Sequence, residues 1–206
     1  MPIRRKKVAL SRALGMNVVG TQRDPLARRR HPPGQHGPMQ ARRRRKPSDY
    51  KLRLVEKQRL QALYNMREKQ FANTVRAAKT KRGSSDENLL RALESRLDTV
   101  ACRAGFARTQ REARQLVSHG HFQVNGRRVD RPSFLVKPGD VVSLKPTSQE
   151  QVFFKEKAAE VFGRGAPAWI NVNPDKWTAT FERLPNLEEM PIAQELRMGY
   201  IMEYYA

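Results

Sequence analysis

Six arginines, at 103, 108, 111, 114, 127 and 128, crowd one short stretch together with His119 and His121. A guanidinium presents a rigid fork of donors that matches a phosphate bidentately and stacks on the face of a base. Thr109 followed three residues later by Glu112 has the spacing of a capping box. A helix therefore starts there, with Arg108, Arg111 and Arg114 at its beginning and along one side. The free N–H groups and positive dipole end of such a helix suit the same anion. Thr109 and Gln115 complete this set of candidate RNA contacts. The competing reading, a solvated charged face, is usual for a single arginine. It weakens when this many converge beside so few acids.

A second basic set precedes the first. Arg28, Arg29 and Arg30 are followed by Gln35 and His36, and then by the run Arg42, Arg43, Arg44, Arg45, Lys46. Pro32, Pro33 and Pro38 forbid a regular helix between them, and Gly34 and Gly37 permit a close-approaching backbone. A basic arm of this kind orders itself in a groove of something anionic; a solvated tail or an organelle transit peptide are the alternatives. Tyr50, Arg53 and Lys57, on the helix that follows, join the candidate contacts.

No residues assemble into a catalytic site. There is no phosphate loop ending in Lys-Ser/Thr, no nucleophile elbow and no paired metal-ligand helix motif. His31 and His36 have no cysteine nearby and no carboxylate but Asp24, so they read as RNA contacts rather than metal ligands. The single cysteine, Cys102, leaves no internal disulfide and too few thiolates for a zinc knuckle. The chain is expected to be no enzyme and to use no metal or cofactor.

Charge places these sets in the chain. Lys and Arg outnumber Asp and Glu by 41 to 20 in 206 residues, a net +21 that calls for a polyanion. Residues 1–46 carry +13, residues 47–146 carry +11 and residues 147–206 carry −3, so the polyanion is gripped by the first two-thirds. No run of about 18 apolar residues offers a membrane span, and no signal peptide opens the chain, which points to an intracellular protein.

The elements follow from periodicity. Ser48 and Asp49 cap a first helix that breaks near Asn65, a second runs from about Arg67 to Lys79, and Ser84 with Glu87 starts a third carrying Leu89, Leu90, Leu93, Leu97, Val100 and Ala101. Gly105 stops that helix, the Arg108–Arg114 helix follows, and Gly120 stops it in turn. Asn125-Gly126 between Phe122–Val124 and Arg127–Val129 predicts a two-residue type I′ hairpin, and Val141, Val142 and Leu144 a strand that closes the sheet. Beyond, residues 148–163 read as a helix, WINV and WTATF as strands with core tryptophans, and the tail as helix or strand. The fold class is α+β: a basic extended arm (1–47), a small helical domain (48–94) on which the tail packs back, an inserted RNA-binding module of two helices on a small antiparallel sheet (95–158), and carboxy-terminal strands and tail (159–206).

Several runs carry a resemblance that covers nearly the whole chain. Leu93-Glu94-Ser95-Arg96-Leu97-Asp98, Ala113-Arg114-Gln115-Leu116-Val117-Ser118-His119-Gly120 and Val124-Asn125-Gly126-Arg127-Arg128-Val129-Asp130 resemble the RNA-binding module of the bacterial-type small-subunit ribosomal protein four family, the universal uS-four family. Arg45-Lys46-Pro47-Ser48-Asp49-Tyr50 is similar to that family's helix start, and Pro32-Pro33-Gly34-Gln35-His36-Gly37 to its arm turn. Many members carry four zinc-binding cysteines near the amino terminus; residues 1–46 have none, which resembles the zinc-free branch. The resemblance implies a structural constituent of the small subunit that binds early and clamps a helix junction in the 5′ domain of small-subunit ribosomal RNA. It also implies ribosomal proteins three and five as neighbours, messenger RNA entering nearby, a part in decoding accuracy, and a cytoplasmic setting in a bacterial or plastid-type ribosome. Two other classes share the module. An RNA-modifying enzyme would need a catalytic domain, which the residues after the module do not supply. A stress-related ribosome binder would lack the arm and the first helical unit.

Overall fold

The computed structural model describes residues 7–20, 24–35, 37–42, 47–152, 154 and 165–206. It divides into two compact units. One comprises residues 1–88 with 191–206, the other residues 89–190.

The first unit holds α1 (Lys7–Leu14), α2 (Pro25–Arg28), α3 (Gly37–Arg42), α4 (Asp49–Leu63) and α5 (Glu68–Lys79). Ser48 caps α4 as its spacing predicts, its hydroxyl accepting the Lys51 N–H at 3.4 Å. Asn65, in the left-handed region at φ 48°, ends that helix and turns the chain into α5. Leu60, Tyr64, Phe71, Val75 and Ala78 lie in the core. A smaller cluster joins Leu14, Val18 and Val19 to Ala62 and Leu63. Arg59 fixes this corner by donating to the Leu14 carbonyl at 2.8 Å and to Glu56 at 2.7 Å.

The tail, ambiguous between helix and strand in sequence, is helical: α10 (Pro191–Glu195) and α11 (Met198–Tyr204) follow a 3₁₀ turn at Leu187–Glu189. α11 packs on α4, with Arg53 paired to Glu203 at 2.7 Å and the Lys57 ammonium 4.8 Å from the Tyr204 ring centre. The Tyr205 hydroxyl donates to Glu68 at 2.7 Å, and Lys57 donates to the other Glu68 oxygen at 2.8 Å. Partial desolvation works against it, but Lys57 and Tyr205 hold the exposed Glu68 carboxyl below its ordinary range, while burial and Glu68 push the Tyr205 phenol far up.

The division between units falls inside α6 (Ser85–Glu94). The single helix expected through Ala101 is two: α6 ends, Arg96 is extended at φ −70° and ψ 141°, and α7 (Leu97–Arg103) begins. The cause lies some 40 residues onward in sequence. Ser95 O accepts the Val136 N–H and Leu97 N–H reaches the Phe134 carbonyl, both at 2.8 Å, so a passing segment takes the bonds of a helical turn. Ser95 Oγ also donates to the Arg91 carbonyl at 2.7 Å, the back-bonding that makes serine tolerant of a bend.

α8 (Gln110–Ser118) then buries Ala113 and Val117, and packs on α7. β1 (Phe122–Val124) and β2 (Arg127–Arg128) form the predicted hairpin, Asn125 and Gly126 taking φ of 51° and 77°. β3 (Val141–Leu144), α9 (Pro146–Gln149), β4 (Ile170–Asn173) and β5 (Thr178–Phe181) complete the elements of this unit. The antiparallel sheet has the order β2-β1-β3-β5-β4. β3 therefore does not close the sheet, as the sequence led us to expect, but lies at its centre. The β4–β5 hairpin supplies the missing neighbour, setting Val142 against Ala179. Phe122, Val142, Leu144, Ala179 and Phe181 alternate onto the buried face. Trp169 is buried and Trp177 half-buried beside Phe154. The helix expected over 148–163 falls largely outside the described residues; α9, which ends at Gln149, overlaps it only at Ser148 and Gln149.

Candidate nucleic-acid interface

Thr109 caps α8, its hydroxyl accepting the Glu112 N–H at 3.3 Å. The reciprocal bond of the expected box lands one residue earlier, with Glu112 accepting the Arg108 N–H at 2.8 Å. Both bonds fix the approach to the helix, and Arg108, Arg111 and Arg114 line its half-exposed side. Gln115 and His119 are exposed.

Two buried carboxylates, on either side of the break between α6 and α7, organise three arginines. Asp98, wholly buried, takes two hydrogen bonds from Arg96 at 2.9 and 2.8 Å and stands 3.6 Å from Arg114. Burial pushes the Asp98 carboxyl up, and the Arg96 and Arg114 guanidiniums pull against that. Glu94, 1% exposed, receives a bidentate pair from Arg103 at 3.1 and 2.9 Å. Arg103 and Arg114 thus keep a third and a quarter of their side chains open while one edge is held from behind. An anchored guanidinium has already lost the rotamer freedom that phosphate binding would otherwise cost.

The hairpin contributes the rest. Arg127 and Arg128 are exposed on β2. Arg128 lies across Gly120, at φ 74°, so closely that a Cβ there would meet its guanidinium at 2.6 Å. Gly120 thus serves twice, ending α8 in a left-handed cap and leaving room for Arg128. His121 turns inward. Its Nδ1 is 2.9 Å from Ser148 Oγ, and its ring stands edge-on to Phe154. Burial, with His119 and Lys145 nearby, pushes the His121 pKa down, so its imidazole is neutral near pH 7 and adds no cation to the surface.

In the other unit Arg28, Arg29, Arg30 and Gln35 are exposed. Arg42 ends α3, and nothing of its side chain is described; His36, Arg43, Arg44, Arg45 and Lys46 lie outside the described residues. Tyr50 is exposed, with its ring 5.9 Å from that of Tyr204. Arg53 and Lys57 are occupied by Glu203 and Glu68, Lys57 being 4% exposed. Sequence reasoning did not single out Arg12. It donates to His31 O at 3.0 Å and Pro32 O at 3.2 Å and lies 2.9 Å from His31 Nδ1, contacts no local spacing announces. Among the described residues no group of three His, Cys, Asp or Glu could hold a metal ion, and no helix is long and apolar enough to cross a membrane.

Residues 95–142 match the family model of the S4 domain, and residues 3–94 that of the ribosomal protein S4/S9 N-terminal domain. The chain is similar to the small ribosomal subunit protein uS4 of Aquifex aeolicus, 44% identical over 202 residues, 97% of this chain and 95% of that one. It is similar also to the protein of the same name from Thermodesulfovibrio yellowstonii, 44% over 188 residues and 90% and 86% of the two chains. The Staphylococcus aureus protein of that name is 45% identical over 196 residues, 95% of this chain and 94% of its own.

Proposed function

The chain belongs to the uS4 family of small ribosomal subunit proteins, and from that premise we propose that it clamps a helix junction in the 5′ domain of small-subunit ribosomal RNA. It is a structural, non-enzymatic constituent of the subunit. The observation that carries the finer reading is the row of arginines along α8 and β2, with Arg114 and the neighbouring Arg103 anchored by Asp98 and Glu94.

The mechanism is positioning rather than chemistry. Where RNA helices converge, phosphates crowd and repel. Guanidiniums inserted there release condensed counterions and favour the assembled junction over the open forms the RNA otherwise samples. The narrow major groove of A-form RNA keeps side chains from its base edges, so shape is read more than sequence. The exposed arginines of the arm, with the run 42–46, form the second grip. By holding the junction the protein nucleates assembly of the subunit body. Its further roles are a place beside ribosomal proteins three and five, a boundary of the messenger RNA path, a part in decoding accuracy, and work in the cytoplasm. Binding of the purified chain to its junction RNA, measured across salt concentrations, tests the reading. About 6–10 phosphate contacts give a steep fall of log K with log salt, of several units. A slope near zero would exclude the clamp.

A further inference from the structure

Beside the amino-terminal helix lies a half-open cleft of about 240 Å³, lined by Val8, Arg12, Pro25, Arg28 and Arg29. Among the described residues no acid answers its cations. Asp24, the one carboxylate in residues 1–46, accepts the Leu26 N–H at 2.9 Å as the cap of α2. Arg12 is held in place by the His31 and Pro32 carbonyls, whereas Arg28 and Arg29 are exposed. The remaining wall is apolar: Pro25, and Val8 with 53% of its surface exposed.

We propose that this cleft receives a single unpaired nucleotide of the bound RNA, its base against Val8, Pro25 and the guanidinium plane of one of Arg28 and Arg29, and its phosphate on the other. The inference rests on the proposed RNA-binding function and gives that function a defined subsite. A bare anion would gain nothing from Val8 and Pro25. An apolar ligand would gain nothing from three uncompensated arginines. A nucleotide uses both, because the base offers a π face that stacks on flat side chains while the phosphate answers the charge. The size argues the same way. Pockets that enclose a whole drug-sized ligand span about 300–1,000 Å³, so a smaller, half-open one takes one projecting part of a larger molecule.

The test separates filling from charge. Val8→Phe fills the cleft without altering net charge, and Arg28→Lys with Arg29→Lys keeps charge but removes the planar stacking surface. Each is measured as the full chain, on the same junction RNA, with nucleotide-resolution base modification as a second readout. In the wild-type complex one unpaired base is protected. In either variant that base becomes reactive again, and affinity falls about tenfold, within the range a stacked base contributes, at unchanged salt slope. Arg28→Ala with Arg29→Ala also lowers the slope by about 0.7 for the phosphate lost. If Val8→Phe and the lysine variant leave both affinity and protection as in the wild type, the cleft is a phosphate contact at most and the inference falls. If the wild-type chain fails to bind the junction RNA at any salt, the proposed function falls first and takes the inference with it.

Discussion

Replacing Asp98 by Asn keeps the shape of a fully buried side chain and removes its charge. In the native structure that carboxylate is the partner of Arg96, itself 5% exposed, through hydrogen bonds of 2.9 and 2.8 Å, and it lies 3.6 Å from Arg114. The amide introduced by Asp98→Asn would turn an N–H₂ toward one guanidinium N–H and leave a buried cation unanswered. Breaking one partner of a buried pair costs about 3–5 kcal/mol, a large share of the roughly 5–15 kcal/mol that holds a domain together. With a urea dependence of about 2 kcal/mol per molar, the unfolding midpoint should drop by roughly 2 M. Both tryptophans, Trp169 and Trp177, lie in the unit that contains Asp98, so their fluorescence reports its unfolding directly. The companion variant Arg96→Met with Asp98→Asn removes both charges and should recover most of the loss. A midpoint shift under about 0.5 M, or a double variant as unstable as the single one, would refute the view that Asp98 answers a buried charge.

Arg127→Ala with Arg128→Ala should flatten the salt dependence of RNA binding by about 1.4–1.8, or 0.7–0.9 per phosphate, with unchanged far-ultraviolet circular dichroism. A loss of helix would instead make these side chains structural. Glu68→Gln should loosen α11, seen as faster amide exchange over residues 198–204. In the wild type, since the folded Glu68 pKa is depressed, the stabilisation is present above about pH 4.3 and lost as pH falls through the folded value. Exchange equally slow in the variant would deny Glu68 that role. The same sign holds for His121. Its folded pKa lies below the ordinary 6.5, so the unfolded chain binds the proton better and stability declines as pH drops below about 6.5. Melting temperature between pH 5 and 8 should show this slope in the wild type and a shallower one in His121→Gln.

Elements set by local chemistry were legible in the sequence. Ser48 and Thr109 cap the helices they were expected to cap, Asn65 turns the chain, and Asn125-Gly126 makes its hairpin, because each acts on atoms within a few residues. One local expectation failed, since Pro38, taken to forbid a helix, lies in the first turn of α3, where a missing N–H is tolerated; the other failures were long-range. The helix break at Arg96 depends on bonds to residues 134–136, and the central place of β3 depends on β5, beyond any local period. Lys57 reads as one more basic residue on a helix face, yet Glu68 and Tyr204 draw it inward. Arg12 escaped attention for a like reason, its partners lying 19 and 20 residues away.

The place of β5 next to β3 has a bearing on how the chain is made. Synthesis proceeds from the amino terminus at about 5–20 residues per second, so β1, β2 and β3 emerge while the strand that covers β3 is still unmade. Until residues 178–181 appear, the β3 edge exposes unpaired backbone groups on a strand whose Val142 and Leu144 are destined for the core. The first unit waits longer still, for α11 to reach α4. For those seconds the nascent chain carries a sticky edge and a surplus of positive charge, and mutual repulsion between basic nascent chains is a protection already at hand.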